Sequence, residues 1–194
     1  MAERRARRGA VDDPATVLEA AARLLEARPR STAEVRRRLR DAGYRADLVE
    51  EAIDRLATLG YLDDEAFARA WVESRDRARP RGARALRDEL RRMGVPPSDV
   101  EAALAAREAT AQGADPDEPS PSSDPGQRAS SQASDEEAAA RLLARRGGIV
   151  LREPDPRKRR AKAYALLARN GFDPDVAGRA VAAWLASAGP DVTE

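Results

Sequence analysis

Whatever chemistry this 194-residue chain performs is done without two of the usual reagents, because it contains no histidine and no cysteine. The commonest general base and metal ligand is absent, and so are thiol nucleophiles, thiolate metal sites and disulfides. The densest acidic group, Asp63-Asp64-Glu65, offers oxygen ligands of the kind Mg²⁺ takes. Consecutive acids directly after a glycine-aromatic turn fit better as a helix N-cap lying in the favourable end of the helix dipole. No G-x-x-x-x-G-K-[ST] loop or G-x-G-x-x-G turn is present, so nucleotide hydrolysis lacks a phosphate cradle. The expectation is a non-enzyme with no catalytic residue, no metal site and no cofactor.

The cations are the residues with a pattern. Arg36, Arg37 and Arg40 form one group, Arg84, Arg87 and Arg91 a second, and Arg157, Lys158, Arg159, Arg160 and Lys162 a third. Part of this is a solvated surface laced with i,i+4 pairs such as Glu34–Arg38 and Arg37–Asp41. A basic face repeated three times at matching positions suits a long polyanion or a repetitive partner, because successive groups meet successive charges. The net charge of +1 hides this segregation. Nine Arg face four Asp/Glu between Arg69 and Arg92, and ten Lys/Arg face five Asp/Glu between Asp135 and Arg169. The segment Gln112–Ser134 is acidic, with four Asp/Glu against Arg128 alone. The seven aromatics, Tyr44, Tyr61, Phe67, Trp71, Tyr164, Phe172 and Trp184, are assigned to cores. A base-stacking platform is therefore not expected, and nucleic-acid binding should be phosphate-led, salt-sensitive and weakly sequence-selective.

Helices must position these groups. Ala, Leu, Arg and Glu dominate while β-branched residues are scarce, a mixture that favours helix nearly throughout. Helices are expected at about 15–27, 32–42, 46–59, 64–77, 81–93, from Pro97, from about Asp135, at 157–169 and from Pro174. Ser31 and Glu34 read as an S-x-x-E capping box, and Gly43-Tyr44 as a left-handed helix end with an apolar anchor. Gly147-Gly148 reads as the start of a loop running to Pro156. Calling helices 32–42 and 46–59 a DNA-reading pair meets an electrostatic objection. The second carries Asp47, Glu50, Glu51 and Asp54, which repel phosphate.

Each second helix is arginine-bearing and ends in glycine plus a hydrophobe: Gly43-Tyr44, Gly94-Val95 and Gly171-Phe172. The first interval is 51 residues and the second 77, and the excess is close to the length of the Gln112–Ser134 segment. Removing that segment restores an even period. The fold class is thus all-α, three tandem three-helix repeats in an elongated array. The division is a disordered basic arm over 1–13, repeats at 14–60, 61–111 and 135–189, and a disordered acidic Pro/Ser linker over 112–134. No apolar run is long enough to span a membrane, and the N-terminus lacks the apolar core of a secretory signal. A soluble, cytoplasmic monomer is expected.

The run Gly60-Tyr61-Leu62-Asp63-Asp64-Glu65, followed by Phe67-Ala68 and Trp71, resembles the signature of the RecX family of recombination regulators. Arg79, Gly82, Leu86, Glu89-Leu90 and Gly94-Val95 are similar to that family's second block, and Tyr164, Leu166-Leu167 and Gly171-Phe172 to its third. The resemblance implies an elongated, curved body of three-helix repeats. It also implies a protein that lodges along the RecA recombinase filament and modulates, usually inhibiting, strand exchange, ATPase and coprotease activities. The eleven cations named above are then the candidate contacts to RecA or DNA, with a phosphate-led, sequence-nonselective DNA-binding helical protein as the alternative.

Overall fold

A computed structural model describes residues 8, 10–113 and 132–188. Among the described residues there are nine helices and no strands: α1 Pro14–Ala27, α2 Thr32–Ala42, α3 Ala46–Thr58, α4 Asp64–Ala78, α5 Ala83–Arg92, α6 Pro97–Ala111, α7 Gln132–Leu151, α8 Pro156–Arg169 and α9 Pro174–Ser187. They form three successive three-helix sets. The chain groups into two compact units, one of Met1–Ala68 with Leu90–Val100 and one of Arg69–Glu89 with Glu101–Glu194.

The boundaries of α2 show how local chemistry sets these elements. The Ser31 hydroxyl accepts the Glu34 N–H at 3.2 Å, satisfying one orphan donor of the first turn. At the other end Gly43 adopts φ 102°, its N–H reaching Arg40 O at 3.0 Å while Tyr44 N–H reaches Leu39 O at 3.2 Å. This is a Schellman end, which needs a residue tolerant of left-handed backbone. The same pair of bonds recurs where Gly94 and Val95 close α5 and where Gly171 and Phe172 close α8. The second half of the capping box does not form. The Glu34 carboxylate is taken by Arg28, Arg30 and Arg38 at 2.6, 2.5 and 2.9 Å.

In the first unit, Val17 and Ala21 of α1, Val35 and Leu39 of α2, and Val49, Ala52, Ile53 and Leu56 of α3 form one core, closed by Leu62. Full burial of each large aliphatic side chain contributes about 1.5–3 kcal/mol, so this cluster is the unit's main source of stability. In the second unit, Ala138, Leu142 and Leu143 of α7 meet Leu167 of α8 and Val176 and Val181 of α9 around Phe172.

Four expectations need correcting. Residues 1–7 and 9 of the expected disordered arm lie outside the described residues, but its end is ordered. Val11 packs on the first core, Asp12 pairs with Arg45, and Asp13 caps α1 through the N–H groups of Ala15 and Thr16. Residues 114–131 of the linker also lie outside the described residues. Its last residues do not read as linker, because Gln132, Ala133 and Ser134 are the first turn of α7 and Ser134 is buried. Helix α7 then runs straight through Gly147-Gly148 to Leu151. A Cβ at Gly147 would lie 2.2 Å from the Trp184 ring, so that glycine makes room for an indole and does not turn the chain. Finally, Tyr61 is 69% exposed and Tyr164 38% exposed, so neither belongs to a core. Leu62 fills the position given to Tyr61, since both its N–H and that of Tyr61 fold back on Leu56 O and turn the tyrosine outward.

Candidate protein and nucleic-acid interface

The arginines of α2 are positioned by helical spacing against α3. Arg36 makes a two-pronged contact with Glu50, Nε at 2.9–3.0 Å and Nη2 at 2.9 Å, and Arg40 reaches the same carboxylate at 2.6 Å. Burial works to raise the Glu50 pKa, but the hydrogen bonds from Arg36 and then Arg40 outweigh it and hold the carboxyl below its usual value. Arg37 is exposed and, among the described residues, has no ion-pair partner; the Arg37–Asp41 pair does not form, whereas Glu34–Arg38 does. Ala33, Arg36, Arg37, Arg40 and Asp41 line one open depression on this face.

In the second set the geometry repeats. Arg87 donates Nε and Nη2 to Glu101 at 2.7 and 2.9 Å, and this hydrogen bond raises the guanidinium pKa further. Arg84 and Arg91 are exposed with no ion-pair partner among the described residues. On α8, Arg159 donates Nε to Glu153 O at 2.9 Å, and Lys162 pairs with the Glu153 carboxylate, an interaction that lowers the Glu153 pKa. Arg157, Lys158 and Arg160 are exposed, and their side chains have no partner among the described residues. The eleven candidates therefore divide by chemistry. Arg36, Arg40, Arg87 and Lys162 are largely neutralised, Arg159 is held by a backbone carbonyl, and Arg37, Arg84, Arg91, Arg157, Lys158 and Arg160 present full charge to solvent. Exposed pairs such as Arg36–Glu50 contribute at most about 1 kcal/mol to the fold, so a stronger anion can displace the carboxylate.

The acidic residues matched to these cations were invisible to an i,i+4 search because they lie on the next helix. The available signal is the repeat itself: the paired residues sit seven before and seven after the turn glycine, 36 and 50 about Gly43, 87 and 101 about Gly94. A second polar group, also unanticipated, joins α4, α6 and α7. The Arg107 side chain is 5% exposed and holds Asp76 at 2.8 Å and Asp135 at 2.6 Å, while Asp135 accepts the Ala83 N–H at the start of α5 at 3.0 Å. Burial pushes the Asp135 carboxyl up; Arg107 opposes that rise and Asp76 adds to it. Beside it the Ser134 hydroxyl donates to Glu108 at 2.5 Å. Among the described residues no group of His, Cys, Asp or Glu is arranged to hold a metal ion, and no helix is long and apolar enough to cross a membrane.

The three helix sets match, in order, the first, second and third three-helix domains of RecX at residues 18–56, 63–104 and 134–181. The regulatory protein RecX of Thermobifida fusca is 33% identical over 170 residues, which cover 88% of this chain and 79% of that protein. That of Mycobacteroides abscessus is 47% identical over 83 residues, 43% of this chain and 41% of that protein. The chain thus spans about half the length, or less, of several of the curated relatives that it matches. The fold is shared with the crystal structure of RecX from Lactobacillus salivarius, at TM-score 0.68 and 19% identity over 89% of this chain and 96% of that one. With its three domains in order and a relative aligned over most of its length, this chain belongs to the RecX family of regulatory proteins.

Proposed function

We propose that this protein is a cytoplasmic, monomeric, non-catalytic regulator that binds the RecA nucleoprotein filament and restrains its recombinase, ATPase and coprotease activities. The observation that carries this reading is family membership through all three domains in order. The surface chemistry supports it. Each repeat offers cations without internal partners, Arg37, Arg84 with Arg91, and Arg157 with Lys158 and Arg160, which suits a partner whose acidic groups recur along a helical polymer. Arg36, Arg40, Arg87, Arg159 and Lys162 are secondary contacts, released from Glu50, Glu101 or Glu153 when a competing anion arrives. The second reading, phosphate-led binding to bare DNA, is favoured by α8, where six Lys/Arg occur without one carboxylate inside the helix.

The test is RecA-catalysed ATP hydrolysis on single-stranded DNA, titrated with the full chain and with an Arg37→Glu/Arg91→Glu variant. Progressive inhibition by the parent protein, weakened in the variant without loss of thermal stability, is expected. Unchanged hydrolysis and strand exchange at stoichiometric protein overturns the recombinase reading. Tight, steeply salt-dependent binding to bare duplex in the same preparation then selects the DNA-binding one.

A further inference from the structure

The third repeat departs from the other two at one symmetric pair of positions. Seven residues before and after the turn glycine, the first two repeats place Arg36 with Glu50 and Arg87 with Glu101, each a two-pronged ion pair across neighbouring helices. About Gly171 the same positions are Tyr164 and Gly178. Tyr164 is 38% exposed, and a Cβ built on Gly178 would have nothing within 4 Å. Where the other repeats neutralise a cation, this one leaves an aromatic ring beside open space.

The charge along the helix that carries this ring is one-signed. Helix α8 carries Arg157, Lys158, Arg159, Arg160, Lys162 and Arg169 and no carboxylate. The two acids just before it are already engaged: Asp155 accepts the N–H groups of Arg157 and Lys158 as the N-cap, and Glu153 pairs with Lys162. Arg157 and Arg160 have no side-chain partner among the described residues. Spacings of three and four put Arg157, Arg160 and Tyr164 on one helical face, with the two guanidinium-bearing positions about 10 and 6 Å along the axis from the tyrosine. Ala161 and Ala168, both exposed, flank Tyr164 at i−3 and i+4, and Leu167 at i+3 is buried, which leaves Arg160 as the large exposed side chain one turn before the ring.

We propose that this face of α8 is a contact for single-stranded nucleic acid, with Tyr164 stacking on a base and Arg157 and Arg160 holding neighbouring phosphates. Alternation of an aromatic face with backbone-seeking cations is the arrangement that binds unpaired strands without sequence preference. A duplex offers the cations the same phosphates but keeps its bases stacked inside, and extruding one costs energy. Preference for a single strand over a duplex is therefore the signature of the tyrosine. The inference does not depend on the recombinase reading, and its test contains no recombinase.

The experiment is fluorescence anisotropy of a labelled oligothymidylate of about 16 nucleotides, with the full chain, against a mixed-sequence duplex of equal length. The single strand should bind more tightly than the duplex. Tyr164→Ala should weaken single-strand binding about tenfold, Tyr164→Phe should restore it, and Tyr61→Ala, which removes an exposed tyrosine elsewhere, should leave it unchanged. Tyr164→Arg/Gly178→Glu installs the residues of the other repeats and should stay folded while losing the single-strand preference, so instability of the alanine variant would not block the test. Wild-type affinity in a folded Tyr164→Ala or in the double variant, equal affinity for duplex, or no binding of the single strand at low salt each overturns the proposal.

Discussion

Ala33 and Gly94 meet so closely that a Cβ added to the glycine would lie 2.4 Å from the alanine Cβ. Gly171 stands in the same relation to Ala85, also at 2.4 Å. In each case the start of one repeat's second helix packs on the turn that ends the next repeat's second helix. The contact is reinforced by polar bonds: the Ser31 hydroxyl donates to Met93 O at 2.5 Å, and Gly82 N–H donates to Asn170 O at 3.0 Å. Asp64 accepts the Thr32 N–H as Asp135 accepts that of Ala83, so an aspartate near the start of one repeat caps the second helix of the repeat before it. The acid cluster read as an N-cap thus caps a neighbouring helix as well: Asp63 serves α4, accepting the Ala66 N–H, and Asp64 serves α2.

Gly94→Ala is expected to cost about 2–5 kcal/mol, the sum of left-handed backbone strain at φ 79° and overpacking against Ala33. Gly60→Ala carries the same kind of strain at φ 76° but meets open space, and should cost only about 1–2 kcal/mol. Urea denaturation of the two variants separates the terms. Equal losses would remove the packing contribution assigned to the Ala33–Gly94 contact.

Leu39→Ala should lose about 2–5 kcal/mol, because Leu39 is fully enclosed in the first core. Tyr61→Ala, at an exposed turn position, should stay within about 0.5 kcal/mol of the parent. Thermal melts of the pair read this directly, and an unaffected Leu39→Ala melt would displace that residue from the core.

Helix ends were legible wherever the signal was local. Ser31, Pro97 and Pro174 open helices, and Gly43, Gly94 and Gly171 close them, because caps and left-handed turns act over a few residues. Gly147-Gly148 misled for the opposite reason: the requirement for glycine comes from Trp184, about forty residues away in sequence, and periodicity carries no trace of it. The same holds for charge. Glu34–Arg38 could be read as one helical turn, but Arg36–Glu50 and Arg107–Asp135 join different helices. Arg107 sits in an alanine-rich stretch of α6, where nothing nearby marks it as buried.

Acid should loosen the first unit through Glu34. Burial raises its pKa, but hydrogen bonds from Arg38, Arg28 and Arg30 more than compensate, and the folded value lies below the unfolded 4.5. The unfolded chain then binds this proton more readily, so the stability it contributes is complete above about pH 4.5 and is shed as pH falls through the folded value. Urea melts from pH 7 down to pH 3 should show Glu34→Gln less stable than the parent at neutral pH and less sensitive to acid. Parallel pH profiles would assign the acid limb to other carboxylates.

Arg107 should be the least replaceable cation in the chain, although it makes no part of the exposed basic surface. Arg107→Met leaves the buried Asp135 without its ion-pair partner and Asp76 with only the longer contact to Arg141 at 3.9 Å, and is expected to cost about 3–5 kcal/mol. Asp135→Asn in that background should recover part of the loss, because a neutral amide oxygen still accepts the Ala83 N–H while the repulsion from Asp76 disappears. On its own, Asp135→Asn should destabilise, since it takes one carboxylate away from a buried guanidinium. A double-mutant cycle by chemical denaturation measures the coupling. Additive losses would mean that Arg107 and Asp135 act independently, and that α7 is held to α4 and α6 by something other than this shared charge.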